Sequence, residues 1–456
     1  MMSRPAKSIH GEWTTRWAFI LAATGAAVGL GNIWKFPYIT GEYGGGAFVL
    51  VYLACIVVIG VPVMMAEVLI GRRGRQNPMN SLEDLSTEAG VNPVWRYLGA
   101  MGVLAGFLIL SYYSVVAGQA MAYVFRTFGG TFEGVTADGA ANIYRSLIHD
   151  PEKLLAWHTL FMVITMIIVS RGVQRGLEKS VRFMMPALFV ILVMLVGYAS
   201  NTGTHFTDGL KFLFRPDFSE MTRLGFLTAM GHAFFTLSLG MGAIMVYGSY
   251  LPKKTSIIKV SLTISALDTS VALLAAIAIF PIVFANGMSP GAGPGLIFET
   301  LPIAFGHMAG GTFFGGMFFL LLVFAAWSSA IALIEPTVTW MVENHGLSRL
   351  TACLYAGIIT WALGLLTVFS FNIGSGWTLW DKTAFQLLDY LTANIMLPLG
   401  GLLIAIFAGW MMRETHTQEE LAIESPLLFK LWRFLVRYVT PAAIVIIFAN
   451  LLGLIG

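Results

Sequence analysis

Charge is what this chain has least of. Asp, Glu, Lys and Arg make up 11% of its 456 residues, against about 25% in an ordinary soluble domain. That shortage excludes a water-solvated globular surface. The formal net charge of +3 is spread over short connecting segments, so no basic stripe for nucleic acid exists. Cysteine is nearly missing as well. Cys55 and Cys353 both fall in apolar segments, which excludes a disulfide framework or a thiolate metal cluster and fits two packed core thiols. No Cys–His or Ser–His–Asp constellation at membrane depth can be defended, so the chain is not expected to be an enzyme. Nor does any stretch read as a soluble signalling domain or a low-complexity tail, which argues against a receptor. The first apolar segment follows MMSRPAKSIHGEW without a small-residue cleavage site and reads as a retained span, not a signal peptide.

What is present is hydrophobicity. Apolar residues make up 57% of the chain and its mean hydropathy is +0.77. A spanning helix takes roughly 20 apolar residues, and eleven such segments can be placed, near 13–39, 45–71, 94–124, 155–171, 178–200, 222–250, 256–285, 310–342, 348–371, 384–412 and 428–455. Their length and the lack of period-2 alternation predict helices, not barrel strands. With the N-terminus inside, 19 of the 27 Lys and Arg residues fall on the cytoplasmic side, among them Arg72, Arg73, Arg75, Arg171, Arg175, Lys179 and Arg182. The bias fits the positive-inside rule, and an odd number of spans then places the C-terminus outside. The expected location is the inner (plasma) membrane, multi-pass. Extramembrane runs are expected near 125–154, 201–221 and 286–309, the last holding the turn-rich SPGAGPG.

Two spans carry glycine and polar residues where a membrane helix should be continuous. GAAVGLGNIWKFP, residues 25–37, holds Gly25, Gly29, Gly31 and Asn32, then the lone cation Lys35. Five spans later HAFFTLSLGMGAIMVYGSY, residues 232–250, holds Thr236, Ser238, Gly240 and Gly242. Glycines four apart also serve close helix packing. Two matching interruptions with polar neighbours instead point to an inverted-repeat transporter with its site at the midplane. A broken helix frees N–H and C=O groups that cost several kcal/mol each in hydrocarbon, on the order of the penalty for an unpaired buried amide. Half-helix N-termini suit a carboxylate and freed carbonyls a cation. Asp268, in LTISALDTSVALLAA, is an acid inside an apolar span, and such residues are functional by default.

The motifs W-x-x-R at 13–16, AVGLGNIWKFP at 27–37, GGGAF at 44–48, FFTLSLGMG at 234–242 and the Ser328–Ser329 pair resemble the neurotransmitter:sodium symporters. The similarity runs in order over residues 12–412. The broken-span rule was itself drawn from this family, so the two inferences share a source. The resemblance implies an all-α membrane protein with a LeuT-type 5+5 inverted repeat and broken first and sixth spans. Residues 1–12 would be a cytoplasmic segment, 13–412 the ten-helix transport core, and 413–456 a loop and eleventh helix. Eleven spans, not twelve, look like the bacterial amino-acid branch.

Carried over position by position, the resemblance implies two Na⁺ sites. The first takes Ala27, Asn32, Thr236 and Asp268. The second takes Gly25, Val28, Ala325, Ser328 and Ser329, although a membrane Ser pair more often bonds back to its own helix. Asn is commoner than Asp at position 268, and many members need chloride nearby; a carboxylate here supplies that charge and Ala272 offers no chloride ligand, so chloride is not expected. The substrate site maps to Ala27, Gly29, Leu30, Gly31, Ile109, Tyr113, Phe235, Thr236, Ser238, Met241, Ser329, Ala332 and Leu333. Amine-transporting members have Asp where Gly29 stands. Glycine leaves room for the substrate's own carboxylate, so an α-amino acid is expected, and the apolar pocket favours a neutral hydrophobic or aromatic one.

Lys35 matches an outer-gate Arg with Asp389 as its acidic partner, and Tyr113 and Phe235 would close over the substrate. His232 stands where Gln is usual, either tuning that gate with pH or serving as a satisfied interior His. Glu67 would cap N–H groups freed by the breaks. At the inner gate the acid is Glu343, and His10 replaces the expected Arg; either Arg4 or Lys7 substitutes, or closure is weaker here. Gly176 and Pro186 have the spacing that permits local unwinding of the fifth span in relatives. The expected function is Na⁺-coupled amino-acid symport by alternating access. The alternative is a proton-coupled transporter using Asp268, Glu67 or His232, with a channel or sensing receptor as the other class. Expected partners are the amino-acid substrate and the lipid bilayer, with no nucleic acid and no obligatory protein partner.

Overall fold

The computed structural model describes residues 8–289 and 295–451. Arg4, Lys7 and most of SPGAGPG lie outside these residues. Among the described residues the chain is helical, with two isolated bridges (Gly45 with Pro216, Leu379 with Lys382) and no strand.

Nine single helices are long and apolar enough to cross a membrane among the described residues: α3 (Gly46–Gly74), α5 (Pro93–Phe128), α7 (Pro151–Ser170), α8 (Val173–Ser200), α12 (Ile257–Ala285), α14 (Gly311–His345), α15 (Arg349–Ser370), α16 (Ala384–Met411) and α18 (Pro426–Asn450). A tenth span is a pair, α1 (Arg16–Ala27) and α2 (Gly31–Glu42), bent by 53°. The segment expected as a sixth span is two pieces, α10 (Arg223–Thr236) and α11 (Ala243–Ser249). Each is too short to cross alone. Between them Ser238, Gly240 and Gly242 have positive φ (54°, 84° and 74°), which no continuous helix tolerates.

Caps set the boundaries. Thr15 accepts from Ala18 N to start α1, and Asp150 accepts from Lys153 N to start α7 ahead of Pro151. Hydrogen bonds from the Lys153 side chain and backbone hold the partly exposed Asp150 carboxyl below its ordinary pKa. Thr383 and Gln386 form a reciprocal capping box at α16.

The stretches expected as loops contain helices: α4 (Pro78–Ala89), α6 (Ala137–Ile148), α9 (Thr204–Phe214), α13 (Leu296–His307) and α17 (Glu414–Leu421). All five are too short or too polar to register as spans. The 35 residues of α14 reach about 52 Å at 1.5 Å per residue, well beyond a ~30 Å hydrocarbon core. Ser328 and Ser329 lie midway along it, at membrane depth. Both cysteines are free, with Cys353 buried and Cys55 only partly so.

Candidate functional site

The two interruptions meet at the centre of the protein, and the backbone groups they free are satisfied by side chains. Gly29 N donates to Asn32 Oδ1 (3.0 Å) and Leu30 N to Tyr113 Oη (3.3 Å). The carbonyls of Gly25 and Val28 accept from Ser329 Oγ (3.3 and 3.1 Å), and that of Ala26 accepts from Ser238 Oγ (2.8 Å). In the second break Gly240 N donates to Glu67 Oε1 at 2.7 Å. Buried backbone polar groups must find partners, and here those partners come from α3, α5 and α14 and from the two breaks themselves, through Asn32 and Ser238. Gly240 admits no side chain: besides its positive φ, a Cβ there would lie 2.4 Å from the Leu397 carbonyl oxygen.

Asn32, Thr236 and Asp268 form one cluster. Asn32 Nδ2 donates to Thr236 Oγ1 (2.9 Å) and to Asp268 Oδ1 (2.8 Å), and Thr236 Oγ1 donates to Asp268 Oδ2 (3.0 Å). Asp268 is fully buried. Among the described residues it forms no ion pair with a Lys, Arg or His, so its charge is offset only by hydrogen bonds. A buried carboxylate in that state is costly unless a cation completes it. Ala27, the fourth residue assigned to this sodium site, is the last residue of α1.

The second cluster lies beside the same break. Ser329 bridges to Gly25 and Val28, while Ser328 Oγ donates to the carbonyls of Ala325 (3.0 Å) and Phe324 (3.2 Å). Gly25 is pressed against Ser328, whose Cβ would lie 3.0 Å from an added Cβ. All five residues assigned to the second sodium site are thus neighbours, though Ser328 also bonds back to its own helix.

The residues assigned to substrate surround the first break. A Cβ on Gly29 would stand 2.6 Å from Ser329 Oγ and 3.0 Å from Tyr113 Oη, and one on Gly31 would stand 3.0 Å from the Phe235 ring. Ile109 sits one turn before Tyr113, and Ala332 and Leu333 one turn after Ser329; with Met241 they are buried apolar groups of the same core.

On one side of the site Lys35 Nζ lies 4.8 Å over the Phe235 ring, a cation–π contact. No ion pair joins Lys35 to Asp389 among the described residues, so the expected outer pair is not formed. Lys35, Phe235 and His232 line a cavity of about 220 Å³. His232 is buried against Phe36 and Tyr52, and neither ring nitrogen has a hydrogen-bond partner among the described residues. Of the two readings given to His232, that of a satisfied interior His therefore finds no hydrogen-bond partner among the described residues.

On the opposite side His10 Nε2 meets Glu343 Oε1 at 3.0 Å. Glu343 Oε2 also accepts from Asn77 N (2.7 Å) and Asn77 Nδ2 (2.6 Å). His10 itself therefore occupies the place where Arg was expected; Arg4 and Lys7 lie outside the described residues. Trp13 anchors the segment, its indole N–H donating to the Tyr247 carbonyl at 3.0 Å. The stretch from Gly176 to Pro186 is helical, opening with a wide turn over Val173–Glu178.

Sequence reasoning missed a buried network next to this gate. Tyr250 Oη donates to Glu335 Oε1 (2.8 Å), and Arg349 forks onto both Glu335 oxygens (3.0 and 2.5 Å). The logic that singled out Asp268, an acid inside an apolar span, applies equally to Glu335 and would have found it. Asn77 carried no comparable signal.

A family model described as the sodium:neurotransmitter symporter family matches residues 10–136 and 139–454. The chain belongs to the sodium:neurotransmitter symporter family. A sodium-dependent transporter of Bacillus subtilis, YhdH, is 36% identical over 98% of this chain and 98% of its own length. A sodium-dependent transporter of Haemophilus influenzae is 34% identical over 96% of this chain and 97% of its own. The crystal structure of MhsT in complex with L-phenylalanine superposes with a TM-score of 0.89 at 41% identity, covering 96% of this chain and 99% of that one. This symporter-family chain is a sodium-dependent, LeuT-fold membrane transporter and not an enzyme.

Proposed function

We propose that this protein imports a neutral hydrophobic or aromatic L-amino acid by Na⁺-coupled symport. The observation that carries the reading is the Asn32–Thr236–Asp268 cluster: a buried carboxylate held by the Asn32 amide and the Thr236 hydroxyl, with no basic partner among the described residues, directly beside the opening at Gly29. The solved relative MhsT holds L-phenylalanine, and Ile109, Met241, Ala332 and Leu333 offer apolar walls of the same character. In this reading α10 and α11 form one interrupted span, the sixth in chain order, which brings the total to eleven, and the ten spans before α18 make a 5+5 inverted repeat. The domain division at residues 13–412 and 413–456 follows from it. The face carrying His10 is cytoplasmic and the C-terminus lies outside, in the plasma membrane.

The residues divide the work. A first Na⁺ takes oxygens from Asn32, Thr236, Asp268 and the Ala27 carbonyl, and the substrate carboxylate completes the shell. Tyr113 Oη and the N–H groups of the α1–α2 break hold that carboxylate. The second Na⁺ takes the carbonyls of Gly25, Val28 and Ala325 with the hydroxyls of Ser328 and Ser329, tying α1 to α14. Its loss frees α1, and the His10–Glu343 contact at the base of α1 then opens. Loosening between Gly176 and Pro186 would give that ion its exit. Phe235 and Lys35 close the outer side, with Asp389 as the acid Lys35 reaches on closure. The negative charge of Asp268 stands in for chloride, which is not required.

The test is uptake into proteoliposomes of labelled amino acids under an imposed Na⁺ gradient. Phenylalanine, leucine and tryptophan should be taken up and should compete with one another, whereas γ-aminobutyrate and dopamine should not. Accumulation of an amine lacking a carboxylate would overturn the substrate class. In the same vesicles Ser329→Ala should raise the Na⁺ concentration needed for half-maximal uptake.

A further inference from the structure

Where α7 turns into α8, on the basic face of the protein, four cations gather. Arg171 caps α7, Arg175 and Lys179 follow on the first turns of α8, and Arg182 lies close to one turn beyond Lys179. All four are exposed and line one cavity of about 700 Å³. One carboxylate, Glu178, is on the same wall, but it is already engaged. It pairs with Arg182 at 2.5 Å and accepts from Thr14 N at 3.1 Å and from the Thr14 hydroxyl. Among the described residues Arg171, Arg175 and Lys179 have no carboxylate within ion-pair distance. Three uncompensated cations around one concavity focus a field that attracts an anion.

Residue 170, the immediate neighbour of Arg171, belongs to a groove of opposite character. It runs between α7 and α15, has a volume of about 420 Å³, and is walled by Met162, Met166, Leu354 and Ile358 among others. Its polar groups are satisfied: Thr159 accepts from the Trp361 indole (2.9 Å) and Ser170 Oγ donates to the Ile167 carbonyl (3.0 Å). Val163, Ile167, Leu354 and Ile358 on its rim are 47–61% exposed, as side chains facing lipid should be.

We propose that the two cavities together form a site for one anionic glycerophospholipid. Its phosphate sits among Arg171, Arg175 and Lys179, and an acyl chain lies in the α7–α15 groove. A free phosphate would use the cations and leave the groove unused. A zwitterionic lipid would bring its own ammonium into a basic cavity. The site sits on the turn whose Gln174 and Glu178 hold the Glu12–Thr14 segment (Gln174 Nε2 donates to the Glu12 carbonyl at 3.0 Å). A bound lipid therefore braces the segment that carries His10.

The test uses the purified full-length protein in detergent, titrated with dioleoyl phosphatidylglycerol and read by native mass spectrometry. The wild type should retain phosphatidylglycerol in preference to phosphatidylcholine. A juxtamembrane cation is worth about fivefold in affinity for an anionic surface. The double variant Arg175→Gln/Lys179→Gln should therefore bind phosphatidylglycerol about thirtyfold more weakly. A second, surface variant, Ile358→Trp, fills the groove; it should weaken dioleoyl phosphatidylglycerol while leaving dihexanoyl phosphatidylglycerol unchanged. Equal retention of the two headgroups, or unchanged affinity in both variants, would overturn the site. Displacement of the lipid by an equal concentration of inorganic phosphate would also overturn it, in favour of a simple phosphate site.

Discussion

The side-chain amide of Asn32 donates at once to the carboxylate of Asp268 (2.8 Å) and to its backbone carbonyl (3.2 Å). A residue of α2, in the first break, is thereby locked to the middle of α12, and the only charge in the cluster is the carboxylate.

Removing that charge is the sharpest perturbation of the first ion site. Hydrogen bonds to charged groups are worth about 1.5–3 kcal/mol. Asp268→Asn should therefore raise the half-saturating Na⁺ concentration by about ten- to a hundredfold, measured as Na⁺-dependent uptake. In the wild type, replacing chloride by gluconate at saturating Na⁺ should leave uptake unchanged. A fall would return chloride to the mechanism.

Gly29→Ala places a Cβ 2.6 Å from Ser329 Oγ and 3.0 Å from Tyr113 Oη. Neither neighbour can retreat, because Ser329 holds α1 and Tyr113 holds Leu30 N. Uptake should fall by roughly a hundredfold, the scale expected from misplacing a binding group by about 1 Å. The detergent melting curve should move far less.

The Arg349–Glu335–Tyr250 network bears on stability. Glu335 is fully buried, and removing one partner of a buried pair costs about 3–5 kcal/mol. Arg349→Ala should lower the melting temperature sharply, and Glu335→Gln/Arg349→Met should recover much of the loss. A double variant as unstable as the single would show that the carboxylate is not the source of the penalty.

At the inner gate His10→Ala removes one of the groups holding Glu343. Hydrogen exchange in residues 8–15 should speed up, because among the described residues only Asn77 then fixes that carboxylate. His10→Arg should restore protection, since a guanidinium reaches a carboxylate with more donors. Equal exchange in all three proteins would show that the His10 contact does not hold the gate.

The sequence made the spans legible because hydropathy and Lys/Arg bias are summed over many residues. It made the breaks legible because glycines cluster with Asn, Thr and Ser at corresponding places in two spans. Five short helices were missed, since α4, α6, α9, α13 and α17 are stabilised by packing on the bundle and not by a long apolar run. Asn77 and Tyr250 were missed because their partners lie 266 and 85 residues away, distances that no local pattern encodes, whereas Glu335 and Arg349 are only 14 apart and Glu335 was open to the reading that picked out Asp268. The His10 position was readable as a departure, but which group meets Glu343 depends on how Trp13 seats the chain against Tyr247 and Tyr250.

The central claim is coupling to Na⁺ through the buried oxygens around Asp268, and one experiment bears on it most directly. Proteoliposomes holding the wild type or Asn32→Ala are loaded with labelled L-phenylalanine from outside under an inward Na⁺ gradient, an inward K⁺ gradient or an inward proton gradient. The expected result is concentrative uptake by the wild type with Na⁺ alone, and a right-shifted Na⁺ dependence in Asn32→Ala. Uptake driven by the proton gradient in the absence of Na⁺ would contradict the sodium reading and transfer the coupling role to a titrating group such as Asp268, Glu67 or His232.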